Sequence, residues 1–431
     1  MTAPLRIALA GLGTVGSGVI RLINENGAMI AQRAGRPISV VAVSARDRNR
    51  DRGVDLTPYK WVDDMDALAA EDVDCVVEMV GGSDGPALDL ARNSLKHGKS
   101  FVTANKAMIA HHGMELALLA EDKGVSLKYE AAVAGGIPVI KGLRDGAAAN
   151  RIERVYGILN GTSNYVLTTM EKYGSDFDAV LKDAQDLGYA EADPSFDIDG
   201  VDAAHKLAIL AAVSFGTAVD FDGVETAGIR NIMAADISQA KALGYRIRLL
   251  GMARIDGGKL FQRVNPYLVP ENHPLAHIEG STNAVVAEGN FVGRLMFQGA
   301  GAGDGPTASA VVADLIDIAR CDGGSVFAMP AKQMADGGRA ESGNRTGKSY
   351  IRFVVADKPG VLAEITAAMR DAKVSIESMI QTEKTDEGSV LISMVTHESR
   401  ESDVVQGLEK LSNSDSLQDA PVVMHLLSEH D

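Results

Sequence analysis

A glycine-rich turn near the N-terminus restricts the fold of the first third of the chain. An apolar run at residues 5–11 leads into the sequence GLGTVG at residues 11–16, and a helical pattern follows. Gly11 permits a tight turn, Gly13 lets a pyrophosphate approach the backbone, and Gly16 lets the helix pack against the strand. The N-terminus of that helix can hold phosphates. The segment therefore predicts a dinucleotide-binding fold.

Two further apolar segments follow at the spacing of βαβ units, at residues 38–44 and 73–80, which predicts an open parallel sheet. At the end of the second strand, an acidic residue would bind the ribose of NAD, whereas an arginine would bind the 2′-phosphate of NADP. Arg46 stands there, so we predict that NADP(H) is preferred and that NAD(H) is possible. The alternative is a solvated loop of alternating charge, because Asp47 and Asp51 dilute the basic patch.

Lys106 lies just past the end of a predicted strand at residues 100–103. In an open α/β sheet, ligands bind at the carboxyl ends of the strands. An ammonium group in that place could contact a phosphate, the nicotinamide or a substrate carbonyl. A surface lysine on a loop is the simpler alternative.

In the middle of the chain, several acidic residues occur shortly before another lysine in the sequence. The segment EADPSFDIDGVDAAHKL, residues 191–207, places Asp202 one helical turn before Lys206 on the same face. Three interpretations stay open: an acidic helix cap, a divalent-metal loop with a spacing unlike the calcium pattern, and a site that binds an ammonium group while the lysine faces a carbonyl or hydroxyl. Upstream, NGTSNY at residues 160–165 predicts a capped helix N-terminus with exposed amides.

Charge and hydropathy exclude several classes of protein. The net charge of -16 opposes binding to a phosphate polymer, so we expect no nucleic-acid partner. No apolar run approaches the roughly 20 residues that a membrane span needs. Cys75 lies in a strand-like run and Cys321 in a helix-like run, which argues against a disulfide framework. We expect a globular, cytoplasmic protein without a membrane partner.

The C-terminal part forms a separate pattern. After a linker-like stretch without apolar periodicity, residues 349–427 alternate as strand, helix, strand, strand, helix and strand, the order of a ferredoxin-like module. The stretch DKPGVLAEI, residues 357–365, resembles the ligand-binding turn of ACT domains. We predict an amino-acid sensor that pairs across subunits, with a module used only for oligomerisation as the alternative.

Six motifs occur in an order and spacing that resembles one enzyme family. GLGTVGSG, TANKA, EAAVAGGIPVI, NGTSNY, EADPSFDIDGVDAAHKL and GAGAGDGPTASAVVADLI are similar to motifs of homoserine dehydrogenases, from about residue 5 to residue 330. The resemblance implies reversible, NAD(P)H-dependent reduction of L-aspartate 4-semialdehyde to L-homoserine, in threonine, methionine and isoleucine biosynthesis. It also implies L-threonine as an allosteric inhibitor bound by the ACT domain, and a homodimer or homotetramer.

The resemblance also assigns roles to individual residues. It implies that Lys206 is the general acid/base and that Lys106 lies where cofactor and substrate meet, without deciding which lysine transfers the proton. It further implies substrate-binding residues, which are Glu191 at the amino group, Asp202 near the hydroxyl, Asp197, Lys106, Gly161 and Thr162. The cofactor-binding residues are Gly11, Gly13, Thr14, Val15, Gly16, Arg46, Lys106 and Gly303. A sodium site formed by a carboxylate and backbone carbonyls is implied at Glu130, Val133, Gly135 and Ile137.

Together these features predict an α/β protein with an N-terminal Rossmann-type dinucleotide-binding domain, a central α+β substrate and dimerisation domain, and a C-terminal ferredoxin-like ACT domain. The expected boundaries are residues 1–135 for the first domain and 136–300 for the second, with a return segment at 301–330, a linker at 331–348 and the ACT domain at 349–427. We expect no aspartate kinase domain ahead of the first strand.

Other functions fit the residues less well. A non-catalytic sensor would be expected to lack Lys206 or Glu191, and both are present. Aldehyde dehydrogenases that form an acyl-enzyme need a cysteine nucleophile at a helix start, and neither cysteine is so placed. Another NADP-dependent reductase of a small amino-aldehyde stays open as an alternative.

Overall fold

The computed structural model describes residues 3–381, 389–412 and 414–428. The predicted α/β class is confirmed, with a Rossmann-type parallel sheet first and an ACT module last. Two predicted strands of the ACT module, at residues 375–384 and 388–397, extend into residues 382–388, which lie outside the described residues. Within the described ranges, no helix is both long and apolar enough to cross a membrane.

The N-terminal part forms a parallel sheet of six strands. These are β1 (Leu5–Ala10), β2 (Ile38–Ser44), β3 (Lys60–Trp61), β4 (Cys75–Glu78), β5 (Ser100–Thr103) and β6 (Leu127–Lys128). Their order is β3-β2-β1-β4-β5-β6, so the chain changes direction across the sheet between β1 and β4. Ligands of open α/β sheets bind at such a switch point, outside the carboxyl ends of the strands. The helices of this part are α1 (Thr14–Ala34), α2 (Pro86–Lys96) and α3 (Lys106–Lys123).

The central part packs helices on one face of an antiparallel sheet. Its strands are β7 (Ile152–Ile158), β8 (Glu225–Thr226), β9 (Tyr245–Asp256), β10 (Lys259–Pro270), β11 (Thr282–Gly289) and β12 (Gly293–Ala300). Its helices are α4 (Val139–Lys141), α5 (Gly161–Tyr173), α6 (Phe177–Asp186), α7 (Ser195–Ile198), α8 (Val201–Phe215) and α9 (Ala234–Ala242). The apolar helix α8 packs on β7, β9 and β10 and contacts α3 of the first sheet. Helix α10 (Asp304–Arg320) returns to pack against α1.

The predicted strand and helix order of the ACT module is confirmed over its described residues. Its elements are β13 (Thr346–Gly347), β14 (Ser349–Ala356), α11 (Val361–Asp371), β15 (Ile376–Gln381), β16 (Ser389–Thr396), β17 (Ser399–Arg400), α12 (Glu401–Leu411) and β18 (Val422–Leu426). Short 3-10 helices lie at Met65–Ala70, Glu130–Ala132, Pro274–His277, Ala331–Gln333 and Ser342–Asn344, and a π-helical turn at Gly142–Gly146.

The C-terminal strand joins the ACT module to the central part. Strand β18 pairs with β14 on one side and, in parallel, with β10 on the other. Strands of the central part and of the ACT module therefore form one sheet in the order β12-β11-β7-β9-β10-β18-β14-β16-β15, while β8 pairs with β10 and β13 pairs with β17. Backbone hydrogen bonds of β18 therefore connect the ACT module directly with β10.

Buried ion pairs reinforce this junction. Arg263 of β10 donates to the Glu401 carboxylate of α12 at 2.9 and 2.8 Å, and Arg345 donates to the same carboxylate at 2.8 Å. Asp236 of α9 accepts from Arg352 of β14 at 2.9 Å. Removing one partner of such a pair leaves an uncompensated buried charge. The ACT module is therefore fixed to the central domain by packing and by charge.

Candidate active site

A cavity of about 500 Å³ lies beside the glycine-rich turn. Gly11 has a φ of 90°, and a Cβ there would lie 2.6 Å from the carbonyl oxygen of Met79. A Cβ on Gly16 would lie 2.0 Å from the carbonyl oxygen of Gly11. Gly13 instead faces open space at the N-terminus of α1, with no heavy atom within 4 Å of the Cβ position. The turn therefore leaves room for a pyrophosphate next to helix amides.

Three arginines line the outer end of this cavity, next to Ser44. Arg52 is engaged with the loop, because its Nε donates to the carbonyl oxygen of Leu12 at 3.0 Å and its Nη1 to that of Arg50 at 2.7 Å. Arg46 is exposed, and within the described residues it makes no hydrogen bond or ion pair. Its guanidinium is therefore available to an anionic ligand.

A second cavity, of about 630 Å³, lies between the parallel sheet and the central part. Val15, Lys106 and Gly303 line it on the side of the glycine-rich turn, whereas Asp202 and Lys206 line it on the side of α8. The structure thus brings two lysines that are 100 positions apart in the sequence into one cavity.

Asp202 lies between these two lysines. Lys106 is the first residue of α3, and Asp202 and Lys206 lie one turn apart on α8. The Nζ of Lys106 is 2.6 Å from Oδ1 of Asp202, and the Nζ of Lys206 is 2.8 Å from Oδ2. The Nζ of Lys206 also donates to the carbonyl oxygen of Leu159 at 2.7 Å. A single carboxylate therefore orients both ammonium groups.

Burial and neighbouring charge act on this cluster in opposite directions. Burial lowers the pKa of Lys206 below its ordinary value, and the carboxylate of Asp202 opposes this only in part. Burial by itself would raise the pKa of Asp202, but the ammonium groups of Lys206 and Lys106 outweigh it and hold that pKa below its usual value. The cluster therefore keeps a charged carboxylate next to a lysine that releases its proton more readily than a solvated one.

The start of α5 and Asp197 lie on the far side of the cavity. Thr162 Oγ1 donates to Oδ2 of Asp197 at 2.9 Å, and the Nδ2 of Asn160 donates to Oδ1 of Asp197 at 2.8 Å. Gly161 and Thr162 begin α5, where backbone amides can bind a carboxylate. Sequence reasoning did not assign Asn160 or the Leu159 carbonyl, although an asparagine directly before a helix is a strong N-cap signal.

Glu191 lies outside the residues that line this cavity. It is exposed on the segment between Gly188 and Pro194, and its carbonyl oxygen accepts from Nε2 of Gln185 at 3.0 Å. Gly188 and Tyr189 of the same segment do line the cavity. Contact of Glu191 with a substrate amino group stays a prediction.

The turn at residues 130–137 has the donor atoms that a small cation needs. The Glu130 carboxylate is already engaged, because its oxygens accept from the amides of Ile140 and Lys141, both at 2.9 Å. Val133 and Gly135 are buried, and no hydrogen bond to their carbonyl oxygens is found within the described residues. Hard cations take such oxygen ligands. The buried carbonyl oxygens therefore fit a small cation, whereas both the carboxylate and the backbone oxygen of Glu130 already accept hydrogen bonds.

Neither cysteine lines the two cavities. Cys75 is buried in β4, where burial raises the pKa of its thiol. Cys321 is exposed and follows the last residue of α10. A cysteine nucleophile is therefore absent from both cavities, as the sequence indicates.

Comparison with known proteins gives matches along almost the whole chain. Three family models match. The model of the homoserine dehydrogenase NAD binding domain matches residues 11–130, that of homoserine dehydrogenase matches residues 138–316, and that of the ACT domain matches residues 349–414. The homoserine dehydrogenase of Neisseria gonorrhoeae is 41% identical, over 99% of this chain and 100% of that protein. The homoserine dehydrogenase of Pseudomonas aeruginosa is 42% identical, over 95% of this chain and 96% of that protein.

Solved structures of homoserine dehydrogenases are also similar to this chain. The crystal structure of a homoserine dehydrogenase from Thiobacillus denitrificans has a TM-score of 0.92 and 41% identity, and the match covers 99% of both chains. A hyperthermophilic archaeal homoserine dehydrogenase in complex with NADPH has a TM-score of 0.64 and 27% identity, over 75% of this chain and 100% of that chain.

The substitution Gly13→Val tests the position of the pyrophosphate. The valine side chain would enter the open space at the N-terminus of α1, so we expect NADPH to bind at least about tenfold more weakly. Valine is a poorer N-cap residue than glycine, so stability should fall by only about 1 kcal/mol. Fluorescence titration and thermal unfolding measure the two quantities. Gly27→Ala is the matched control, because a Cβ there also meets no atom within 4 Å, away from the turn. Wild-type NADPH affinity in Gly13→Val would contradict this position.

Proposed function

Since the chain belongs to the homoserine dehydrogenase family and is an NAD(P)-dependent oxidoreductase acting on a CH–OH group, we propose that it interconverts L-homoserine and L-aspartate 4-semialdehyde at the Lys106, Asp202 and Lys206 cluster. The observation that carries this proposal is the position of the cluster. It lies in a cavity that also reaches Val15 and Gly303 beside the cofactor turn.

The charges of the cluster suit reduction of an aldehyde. The nicotinamide, when bound, supplies or accepts the hydride. The aldehyde oxygen gains negative charge as it is reduced, so a cation or proton donor must lie within hydrogen-bond reach. We assign proton transfer to Lys206, since burial lowers its pKa. The side chain of Lys106 is 34% exposed, and its Nζ lies 5.3 Å from the centre of the Phe196 ring. Lys106 would bind the substrate oxygen from the side of the cavity where the nicotinamide lies.

The remaining groups of the cavity suit an amino acid. We propose that the first amides of α5, at Gly161 and Thr162, bind the substrate carboxylate, because helix N-termini favour anions. Asp197 would face the substrate ammonium group from the other side. Glu191 would also contact this ammonium group.

We propose NADP(H) as the preferred cofactor, with NAD(H) as a weaker alternative. Gly11, Gly13 and Gly16 provide the turn, and Thr14 with Val15 begins α1 beside it. The unpaired guanidinium of Arg46 supports recognition of a 2′-phosphate. The NADPH bound to the archaeal relative agrees with this preference. We also propose that sodium binds the carbonyl oxygens of residues 130–137 and holds this turn beside the cavity.

We propose that an amino acid, L-threonine, binds the ACT module of a homodimer or homotetramer and inhibits turnover. The module continues the central sheet through β18, and its Glu401 pairs with Arg263 of β10. Arg263 also pairs with Glu225 of β8, and the segment after β8 bonds to α7 through Ile229 and Ile198. These contacts connect the module with the helix that carries Asp197.

Turnover with Lys206→Ala tests the assigned proton donor. NADPH oxidation with L-aspartate 4-semialdehyde should be rapid in the wild type and about 100-fold to 10,000-fold slower in the variant, since general acid catalysis is lost. NADPH affinity should not change. Lys182→Ala, on the exposed face of α6, is the control. Equal losses of turnover and NADPH binding would remove Lys206 from the chemical step, and a wild type without turnover would refute the proposed reaction.

Cofactor preference is tested by Arg46→Ala. We expect the KM for NADPH to rise about tenfold, because a charge-assisted contact with the 2′-phosphate is lost, while the KM for NADH barely changes. Arg48→Ala is the matched control, because Arg48 lies over Trp61 and does not line the cavity. An unchanged ratio of the two KM values would exclude Arg46 as the 2′-phosphate ligand.

The route of inhibition is tested by Glu401→Gln. The change removes the charge that Arg263 and Arg345 share, so we expect L-threonine to inhibit about fivefold or more weakly, with basal turnover retained. Glu409→Gln, on the exposed face of α12, is the control. Full inhibition in Glu401→Gln would exclude this ion pair as the connection, and a wild type indifferent to L-threonine would refute the proposed effector.

A further inference from the structure

Asn160 is placed between the two carboxylates of the active site. It lies between β7 and α5, is 5% exposed, and its Oδ1 accepts from the amide of Ser163 at 2.7 Å. This bond fixes the orientation of the side-chain amide, so Nδ2 faces the carboxylates. It donates to Oδ1 of Asp197 and to Oδ2 of Asp202, both at 2.8 Å. Both hydrogens of the amide are therefore used in the active site.

The bond to Asp202 reaches the same oxygen that Lys206 contacts. Oδ2 of Asp202 accepts from Asn160 and from Lys206, whereas Oδ1 faces Lys106. Two donors on one oxygen leave little freedom for the carboxylate to rotate. The shared oxygen also divides its negative charge between an amide and an ammonium group.

We propose that Asn160 is a positioning residue, a proposal that rests on the proposed reaction. Its Nδ2 holds the Asp202 carboxylate so that each oxygen faces one lysine. It also withdraws part of that carboxylate's charge from Lys206. Asn160 also separates Asp197 from Asp202, two carboxylates that would repel each other without a donor between them.

Other charges around Lys206 come from three elements. Asp202 lies on α8 with Lys206, Lys106 faces the cluster from α3, and Asp197 faces it from α7. His205, next to Lys206 on α8, has its pKa lowered by burial, so it adds no positive charge near neutral pH. Loss of the Asn160 donor would leave more of the Asp202 charge for Lys206. Its ammonium form would then be stabilised, and deprotonation would move to higher pH.

The substitution Asn160→Ser separates this role from helix capping. Serine also caps helices well, so the variant keeps the N-cap acceptor and loses only the Nδ2 donor. The pH dependence of Lys206 labelling by acetic anhydride, read by mass spectrometry, gives the midpoint of its deprotonation without requiring turnover. We expect this midpoint to rise by about half a pH unit or more. The pH at which homoserine oxidation reaches half its maximal kcat should rise with it.

Asn164→Ser is the matched control. Asn164 lies on α5, the helix that Asn160 caps, and is 1% exposed, but its Nδ2 donates to the backbone carbonyl oxygens of Ile278 and Gly280 and not to a carboxylate. Its loss should leave the Lys206 midpoint unchanged. Asn160→Thr, which also keeps a capping hydroxyl and adds no charge, should raise the midpoint and serves as a second variant if Asn160→Ser does not fold.

An unchanged Lys206 midpoint in the folded Asn160 variants, or an equal shift in Asn164→Ser, would overturn the proposal. Wild-type turnover of homoserine is measured separately. Its absence would refute the proposed reaction, while the labelling midpoints would still decide whether Asn160 sets the charge at Lys206.

Discussion

The structure of the active site depends on one buried carboxylate shared by two ammonium groups. Asp202 is 2% exposed, and an isolated charge in that position would cost several kcal/mol of desolvation, on the order that buried ions show. Lys106 and Lys206 offset this cost from opposite sides, and Asn160 supplies a further donor. Each lysine is held in place by the carboxylate, and the carboxylate stays ionised because of the lysines.

Helices next to two different sheets bring these groups to one point. Helix α3 follows a strand of the parallel sheet and begins with Lys106, whereas α8 is packed on the central sheet and carries Asp202 and Lys206. The cavity lies where the two meet, next to the glycine-rich turn. The ion pair between Asp202 and Lys106 therefore connects the side of the cavity next to the glycine-rich turn with the side formed by α8. The ACT module reaches the same central sheet through β18.

Local sequence patterns predicted the parts of this arrangement that depend on near neighbours. The glycine spacing at residues 11–16 requires close backbone contacts within one turn, and the four-residue spacing of Asp202 and Lys206 places them on one helix face. The contact of Lys106 with Asp202 joins residues 96 positions apart. The local pattern could therefore not decide whether Lys106 is a site residue or a surface lysine on a loop. The parallel pairing of β18 with β10 is also long-range, so no local periodicity could indicate it. The capped start of α5 was predicted, but the role of Asn160 was not, because its bonds to Asp197 and Asp202 depend on where α7 and α8 lie.

The measurement that tests this account most directly is kcat for homoserine oxidation by Asp202→Asn. Asparagine keeps the shape of the side chain and removes the charge that orients both lysines. The account predicts that kcat falls about 100-fold or more, as expected when a general base loses its position, while NADPH binding is retained. A kcat within about threefold of the wild type would contradict the account, because the two lysines would then act without the shared carboxylate.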